Sequence, residues 1–279
     1  MNVLSLFDGM SCGQLALQRA GVAHDNYFAS EIDKHAIAVT RKNFPFTKHL
    51  GCVSSVAAAD LPQIDLLIGG SPCQDLRPGR LGLKGDKSKL FYEYYRVWQE
   101  CRPAYFLLEN VGKIKDEDRR IITELLGVEP IRINSALVSA QNRDRWYWTN
   151  LPDACAPIDM GITLDQFVPG GQGAALRNQV TPKGVLPFTN VRKDGKSNCV
   201  VASYVEKLNG VIVDGVFRHL TAEECELLQT VPVGYTDNGL SHGQRLKLLG
   251  NGWTVDVIAH LLSGLTKVKL QQHPFAQAA

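Results

Sequence analysis

Through residue 150 the chain alternates short apolar runs with stretches of helical period, and that alternation leaves few architectures open. "NVLSLF" (2–7), "NYFASE" (26–31), "IDLLIGG" (64–70), "YFLLEN" (105–110), "IRINSALV" (131–138) and "WYWT" (146–149) read as strands. Between them, "GQLALQRAG" (13–21) has helical spacing stopped by Gly21, and a second helix follows from about Asp33 to Asn43. "SKLFYEYYRVWQEC" (88–101) puts Leu90, Tyr94, Val97 and Cys101 on one helical stripe. This order predicts an α/β fold, a twisted and largely parallel sheet with helices on both faces.

From about Leu151 to Gly215 the texture changes. Prolines and glycines are frequent, and "VPGGQGAALRNQVTPKG" has no clear period, so a small loop-rich region with some β structure is expected. Patterning returns in "LTAEECELLQTV" (220–231), where Thr221 and Glu224 have the spacing of a capping box, and in "GNGWTVDVIAHLLSGL" (250–265). At 279 residues the chain holds one large domain, or a large one with a smaller insert. No stretch approaches the roughly 20 apolar residues of a membrane span, and "MNVLSLFDGM" lacks a basic leader region. Seven cysteines without a C-x-x-C pair fit a reducing, cytoplasmic setting better than a disulfide framework, and they argue against a zinc site.

Where the strands end matters most, because open α/β sheets bind ligands at the carboxyl ends of their strands. The first strand runs into "LFDGMSCG", a glycine-bearing turn containing Asp8, Gly9 and Gly13, without the G-x-G-x-x-G spacing of a dinucleotide site. Glu31 stands at the end of the second strand, where an acid can bind both hydroxyls of a ribose. After the apolar run 64–68, "IGGSPCQDLR" delivers Cys73 onto a loop, and a deprotonated cysteine is a strong nucleophile. Arg77, Arg80, Lys84, Lys87 and Lys89 follow against one acid, Asp86, which suits a polyanionic substrate although the net charge of the chain is only +2. Glu109 follows "YFLL", and "SAQNRDRWYW" places Arg143 and Arg145 two apart just before a strand, so both side chains are expected on the same face. Singly, each has a plain alternative: a tight βα turn, a solvated charge run, a surface acid, sheet-edge ion pairs and an inert buried thiol.

Together and in this order, Phe7-x-Gly9, Glu31, Pro72-Cys73-Gln74, Glu109-Asn110-Val111, Gln141-x-Arg143-x-Arg145 and Gly250-Asn251 resemble the ordered motifs of the DNA (cytosine-5)-methyltransferase family. "LSLFDG", "GGSPCQDL", "RLKLLGNGWTV" and "VPVGYTD" are similar in detail to its de novo animal branch and to phage and bacterial relatives. The resemblance spans the chain apart from about 152–215. It implies a Rossmann-like, S-adenosylmethionine-dependent methyltransferase sheet with a small target-recognition domain inserted. Residues 1–151 would form the catalytic, cofactor-binding domain, 152–215 the recognition domain, and 216–279 the return to the catalytic domain.

The resemblance also implies the chemistry. Cytosine is a poor carbon nucleophile until a thiolate adds at C6, which makes the ring an enamine reactive at C5. That thiolate would be Cys73. Glu109 would hold the base at N3 and N4, Arg143 would neutralise the pyrimidine carbonyl side, and Arg145 would help position the thiol and the base. Methyl transfer from S-adenosylmethionine, loss of the C5 proton and elimination of Cys73 would give 5-methylcytosine. The target atom is unreachable inside double-stranded DNA, so the nucleotide must be flipped out, with Arg77, Arg80, Lys84, Lys87 and Lys89 closing on the phosphates. The cofactor would be held by Phe7, Asp8, Gly9, Met10, Glu31 and Ile32, by Cys52 and Val53, and by Asn251, Gly252 and Trp253.

Two departures matter. In "GCVSSV" the family has Gly-Asp-Val, so Cys52 stands where an aspartate accepts a hydrogen bond from adenine, an expected loss on the order of 1 kcal/mol in cofactor binding. Asp60 and Asp65 are candidate replacements. The loop between Asp75 and Lys89 is also shorter than in the animal enzymes. A tRNA cytosine-5 methyltransferase would share the fold and the cysteine, but the Cys-Phe-Thr segment usual there is absent. A catalytically weak DNA-binding relative would need no Cys73, and a free-nucleotide methylase would need no loop-rich region. The compact chain points to a bacterial or phage-infected cell.

Overall fold

The computed structural model describes residues 1–72, 75–76, 79–181, 184–202 and 209–266, with backbone alone for 177–181 and 184–188. Its contacts divide the chain into two compact units. The first comprises residues 1–133 and 144–157 and resumes at 255; the second comprises 134–143 and 158–254. By contacts, therefore, residues 134–143 and 216–254 group with the loop-rich region rather than with the sheet.

In the first unit the strands are β1 (Asn2–Leu6), β2 (Asn26–Ser30), β3 (Lys48–His49), β4 (Leu66–Gly70), β5 (Tyr105–Val111) and β6 (Ile131–Asn134). After β7 (Gln141–Asn142), β8 (Asp144–Thr149) completes a seven-stranded sheet of order β3-β2-β1-β4-β5-β8-β6. β1 pairs in parallel with β2 and β4, and β4 with β5, whereas β8 runs antiparallel to β5. The order reverses between β1 and β4, which is where such sheets open a crevice for ligands.

Burial on both faces explains the unbroken apolar runs. Leu4, Leu6, Leu67, Phe106, Leu108 and Trp148 enter one cluster, the alternate residues that a period of two selects. Two helices complete that cluster. α3 (Phe91–Cys101) adds Phe91, Tyr94, Val97 and Cys101, and α4 (Asp116–Leu126) adds Ile122 and Leu126. Leu90 lies in the preceding 3-10 turn and is only partly buried, so Phe91 takes its expected place. The intervening strand residues Val3, Leu66, Ile68, Leu107 and Tyr147 are buried as well. α1 (Cys12–Arg19) packs against α7 (Val255–Leu262), and α2 (Lys34–Asn43) starts at Asp33, whose carboxylate accepts the His35 amide at 2.9 Å.

Two expected elements are cut short for identifiable reasons. The strand read over 131–138 ends at Asn134, because its side chain accepts the Ala136 amide and caps a 3-10 turn instead. The helix read over 250–265 is two helices, α6 (His242–Asn251) and α7, separated by an extended Gly252. α6 opens with a Ser241/Gln244 capping box, and α5 (Ala222–Leu228) has the Thr221/Glu224 box expected from its spacing. No described helix is long and apolar enough to cross a membrane.

In the second unit β9 (Gln172–Thr181) and β10 (Gly184–Val191) form an antiparallel hairpin, and β12 (Asn209–Val213) and β13 (Val216–Arg218) extend it to a four-stranded sheet. β11 (Ser197–Asn198) pairs in parallel with β7.

Gly69 reports how tightly the sheet is packed. A Cβ there would lie 2.9 Å from the Tyr94 ring and 3.0 Å from the Leu6 carbonyl oxygen. Gly69→Ala is expected to lower stability by about 1–3 kcal/mol, measured by urea unfolding; an unchanged midpoint would contradict this packing.

Candidate active site at the carboxyl edge of the sheet

The turn after β1 is strained and strapped down. Phe7 (φ 57°) and Ser11 (φ 60°) both lie in the left-handed region, with Gly9 (φ 61°) between them. A non-glycine residue there costs roughly 1–2 kcal/mol, so the conformation needs fixed partners. Glu31 is the main one. Its Oε2 accepts the Gly9 amide at 2.8 Å, and its Oε1 accepts the amides of Ile32 at 2.7 Å and Asp33 at 2.8 Å. The Asp8 amide also donates to the Ser30 carbonyl at 3.1 Å. Asp8 is buried and accepts the hydroxyls of Ser11 and, at 2.7 Å, Tyr27. Met10 is buried beneath the turn, while Ile32 leaves 74% of its surface exposed.

Cys52 and Val53 follow directly from this edge, since Ser30 Oγ donates to the Gly51 carbonyl at 2.9 Å. Val53 is buried and Cys52 is exposed, its sulfur 3.0 Å from the Ser54 hydroxyl. That contact pulls the Cys52 thiol below the usual thiol range. Arg96 of α3, unremarked in the sequence, donates to the carbonyls of Val53 (3.1 Å) and Val56 (2.9 Å) and so fixes this turn. Asp65 cannot replace the missing aspartate. Its carboxylate accepts the Asn2 amide at 2.7 Å, at the amino end of β1 and the opposite edge of the sheet.

Cys73 and Gln74, with Arg77, lie outside the described residues. Their surroundings are described. β4 ends with Gly70 in register with Glu109 of β5. Asn110, to which spacing assigned no role, donates to Ser71 Oγ at 3.1 Å and to the Ser71 carbonyl at 3.3 Å. Two residues before Cys73 the chain is therefore tied to the Glu-Asn-Val segment. On the far side, Asp75 accepts the amides of Lys87 (3.1 Å) and Ser88 (3.3 Å), and Asp118 accepts that of Leu83 (3.1 Å). These contacts anchor a loop on which Arg80, Lys84, Lys87 and Lys89 are exposed, with Lys89 paired to Asp86 at 2.9 Å.

Glu109 and Arg145 form an ion pair. Antiparallel pairing sets Val111 opposite Arg145, and Arg145 Nε lies 2.7 Å from Glu109 Oε1, with both side chains largely buried. Arg143 falls between β7 and β8, in the second unit, so the two-residue periodicity does not carry over to it. Its buried guanidinium donates to the carbonyls of Val200 (2.9 Å), Gly250 (3.2 Å) and Gly252 (2.7 Å). Asn251, Gly252 and Trp253 lie in that second unit as well.

A family description, C-5 cytosine-specific DNA methylase, matches residues 1–152. The chain belongs to the C-5 cytosine-specific DNA methylase family. It is 33% identical to the type II methyltransferase M1.ScrFI of Lactococcus lactis subsp. cremoris over 95% of its own length and 78% of that protein. To the orphan methyltransferase M.SPRI of Bacillus phage SPR it is 32% identical, over 53% of the chain and 37% of the relative; it covers only 32% of the related protein of phage rho11s. It thus spans about a third of these phage relatives. Among solved structures, the Entamoeba histolytica methyltransferase EhMeth superposes with a TM-score of 0.74 at 17% identity, over 96% of this chain and 98% of that one. The S. pombe Dnmt2 methyltransferase superposes with a TM-score of 0.63 at 18% identity, over 99% and 100%. At these identities the superpositions establish the Rossmann-like methyltransferase fold expected from the sequence.

The Asp8 carboxyl gives this turn a pH signature. Burial pushes its pKa up from 3.8 to about 6, partly opposed by the Ser11 and Tyr27 hydroxyls. Between those values the folded protein keeps a proton that the unfolded chain has lost, so stability falls as pH rises and levels off above about 6. Relative to wild type, Asp8→Asn is expected to gain roughly 2–3 kcal/mol from about pH 4 to about pH 6 and nothing more by pH 8. A stability difference that is flat across that range in urea titrations would contradict this.

Proposed function

We propose that the chain is a DNA cytosine-5 methyltransferase that uses S-adenosylmethionine, with Cys73 as its nucleophile. The observation that carries the reading is the Glu109–Arg145 pair at the carboxyl edge, with Glu109 in register with Gly70 on the strand that leads to Cys73, in a chain of this family.

The first βα turn supports the cofactor class. In dinucleotide folds the amides of this turn bind a phosphate. Here the Gly9 amide is already taken by Glu31, and Asp8 lies beside it. A phosphate would face two carboxylates, whereas a ribose offers hydroxyl donors and a sulfonium offers positive charge. The exposed Ile32 side chain suits the face of an adenine. When bound, S-adenosylmethionine supplies an electrophilic methyl group.

The chain's own groups would do the rest. Cys73, as thiolate, adds to C6 of the cytosine, which activates C5, and its elimination ends the cycle. Glu109 hydrogen-bonds the N3 and N4 edge, oriented by Arg145, and stabilises the charge that develops on addition. The exposed Arg80, Lys84, Lys87 and Lys89, with Arg77, contact DNA phosphates and offset the few kcal/mol needed to unstack the base. Double-stranded DNA as partner and a cytoplasmic setting in a bacterial or phage-infected cell belong to the same proposal.

Single-base mapping of mixed-sequence duplex DNA, incubated with protein and S-adenosylmethionine, tests this. Methylcytosine in a defined sequence context, absent with Cys73→Ala, is expected. Equal methylation by the mutant would contradict the role of Cys73, and none by either would contradict the activity.

A further inference from the structure

Arg143 resembles a catalytic arginine by position in the sequence, yet its donors are directed into the protein. One terminal nitrogen donates to the Val200 carbonyl at 2.9 Å and to Cys199 Sγ at 3.3 Å. The other donates to the carbonyls of Gly250 and Gly252, on either side of Asn251. Gln229 reinforces the hold, donating to the carbonyls of Leu249 and, at 3.0 Å, Gly252. Gln229 is itself fixed by Gln141 at 2.8 Å and Thr254 at 2.9 Å. These acceptors are the carbonyls that the end of α6 leaves without intrahelical partners, and a cation is favoured there by the helix dipole. From the other side Gly250 lies against the chain so closely that a Cβ would come within 2.1 Å of Val201 and Ala202 backbone atoms. The result is a turn with Gly252, Trp253 and Thr254 buried and the Asn251 side chain exposed.

We propose that Arg143 is a positioning residue for the cofactor, holding the turn that presents Asn251. The inference rests on the S-adenosylmethionine reading above, in which Asn251, Gly252 and Trp253 help to hold the cofactor.

The test compares three variants with wild type by calorimetric titration of S-adenosylmethionine, steady-state kinetics on duplex DNA, and thermal unfolding. Arg143→Lys keeps the charge and loses the fork. Asn251→Ala removes an exposed side chain and so does not threaten the fold. Lys196→Met removes another interior clasp of the same unit, an ammonium donating to the carbonyls of Ala136, Ser139 and Ile162. Arg143→Lys and Asn251→Ala are expected to raise the cofactor Kd and KM about tenfold while kcat at saturating cofactor stays within about threefold. Lys196→Met lowers the Tm without moving the Kd. Reduced kcat with unchanged Kd in Arg143→Lys would overturn the proposal in favour of a base contact. An equal rise in Kd for Lys196→Met, or an unchanged Kd for Asn251→Ala, would overturn it in favour of general stability. Wild-type protein that binds no S-adenosylmethionine would overturn the cofactor reading itself.

Discussion

The carboxylate of Glu31 is the interaction on which the rest of the edge depends. A parallel sheet gathers its strand ends on one side, but each end leaves backbone amides without partners and a turn free to choose its path. Glu31 takes the amides of Gly9, Ile32 and Asp33 together. It thereby joins the ends of β1 and β2 and holds a turn in which Phe7 and Ser11 are strained. The same contact decides what can bind. With its amide occupied and a second carboxylate at Asp8, this turn no longer has the anion preference of a dinucleotide loop.

The other end of the crevice is organised by the same economy of backbone contacts. Asn110 holds Ser71, Asp75 holds the amides of Lys87 and Ser88, and Asp118 holds that of Leu83. A loop that carries several like charges is thus anchored at its base while its lysines remain exposed. Glu109 and Arg145 are matched by the antiparallel pairing of β5 with β8. A parallel neighbour would have brought its opposite end to this position.

The parts legible in sequence were those fixed by local composition. Strands buried on both faces read as apolar runs, and Thr221 with Glu224 announced the start of α5. Glu31, Glu109 and Arg145 stood out as candidates because strand ends are where such sheets put their chemistry. What spacing missed depends on partners distant in sequence. The break at Gly252 is made by Arg143 and Gln229, which bind its carbonyl from elsewhere in the unit. Spacing alone could not place Arg143, because β8 begins at Asp144 and takes in Arg145 only. The β9–β10 hairpin was hidden because Pro187 interrupts its second strand, which is tolerable there since β10 lies at the edge of its sheet.

The chemistry proposed for this edge is activation of cytosine through a bond from Cys73 to C6. Duplex DNA carrying 5-fluorocytosine tests it most directly, because fluorine cannot leave C5 as a proton does and elimination of the cysteine is blocked. Incubated with such DNA and S-adenosylmethionine, the protein should form a one-to-one covalent complex that survives denaturation, with the adduct on the peptide containing Cys73. Absence of a complex, or an adduct on another residue, would contradict the account.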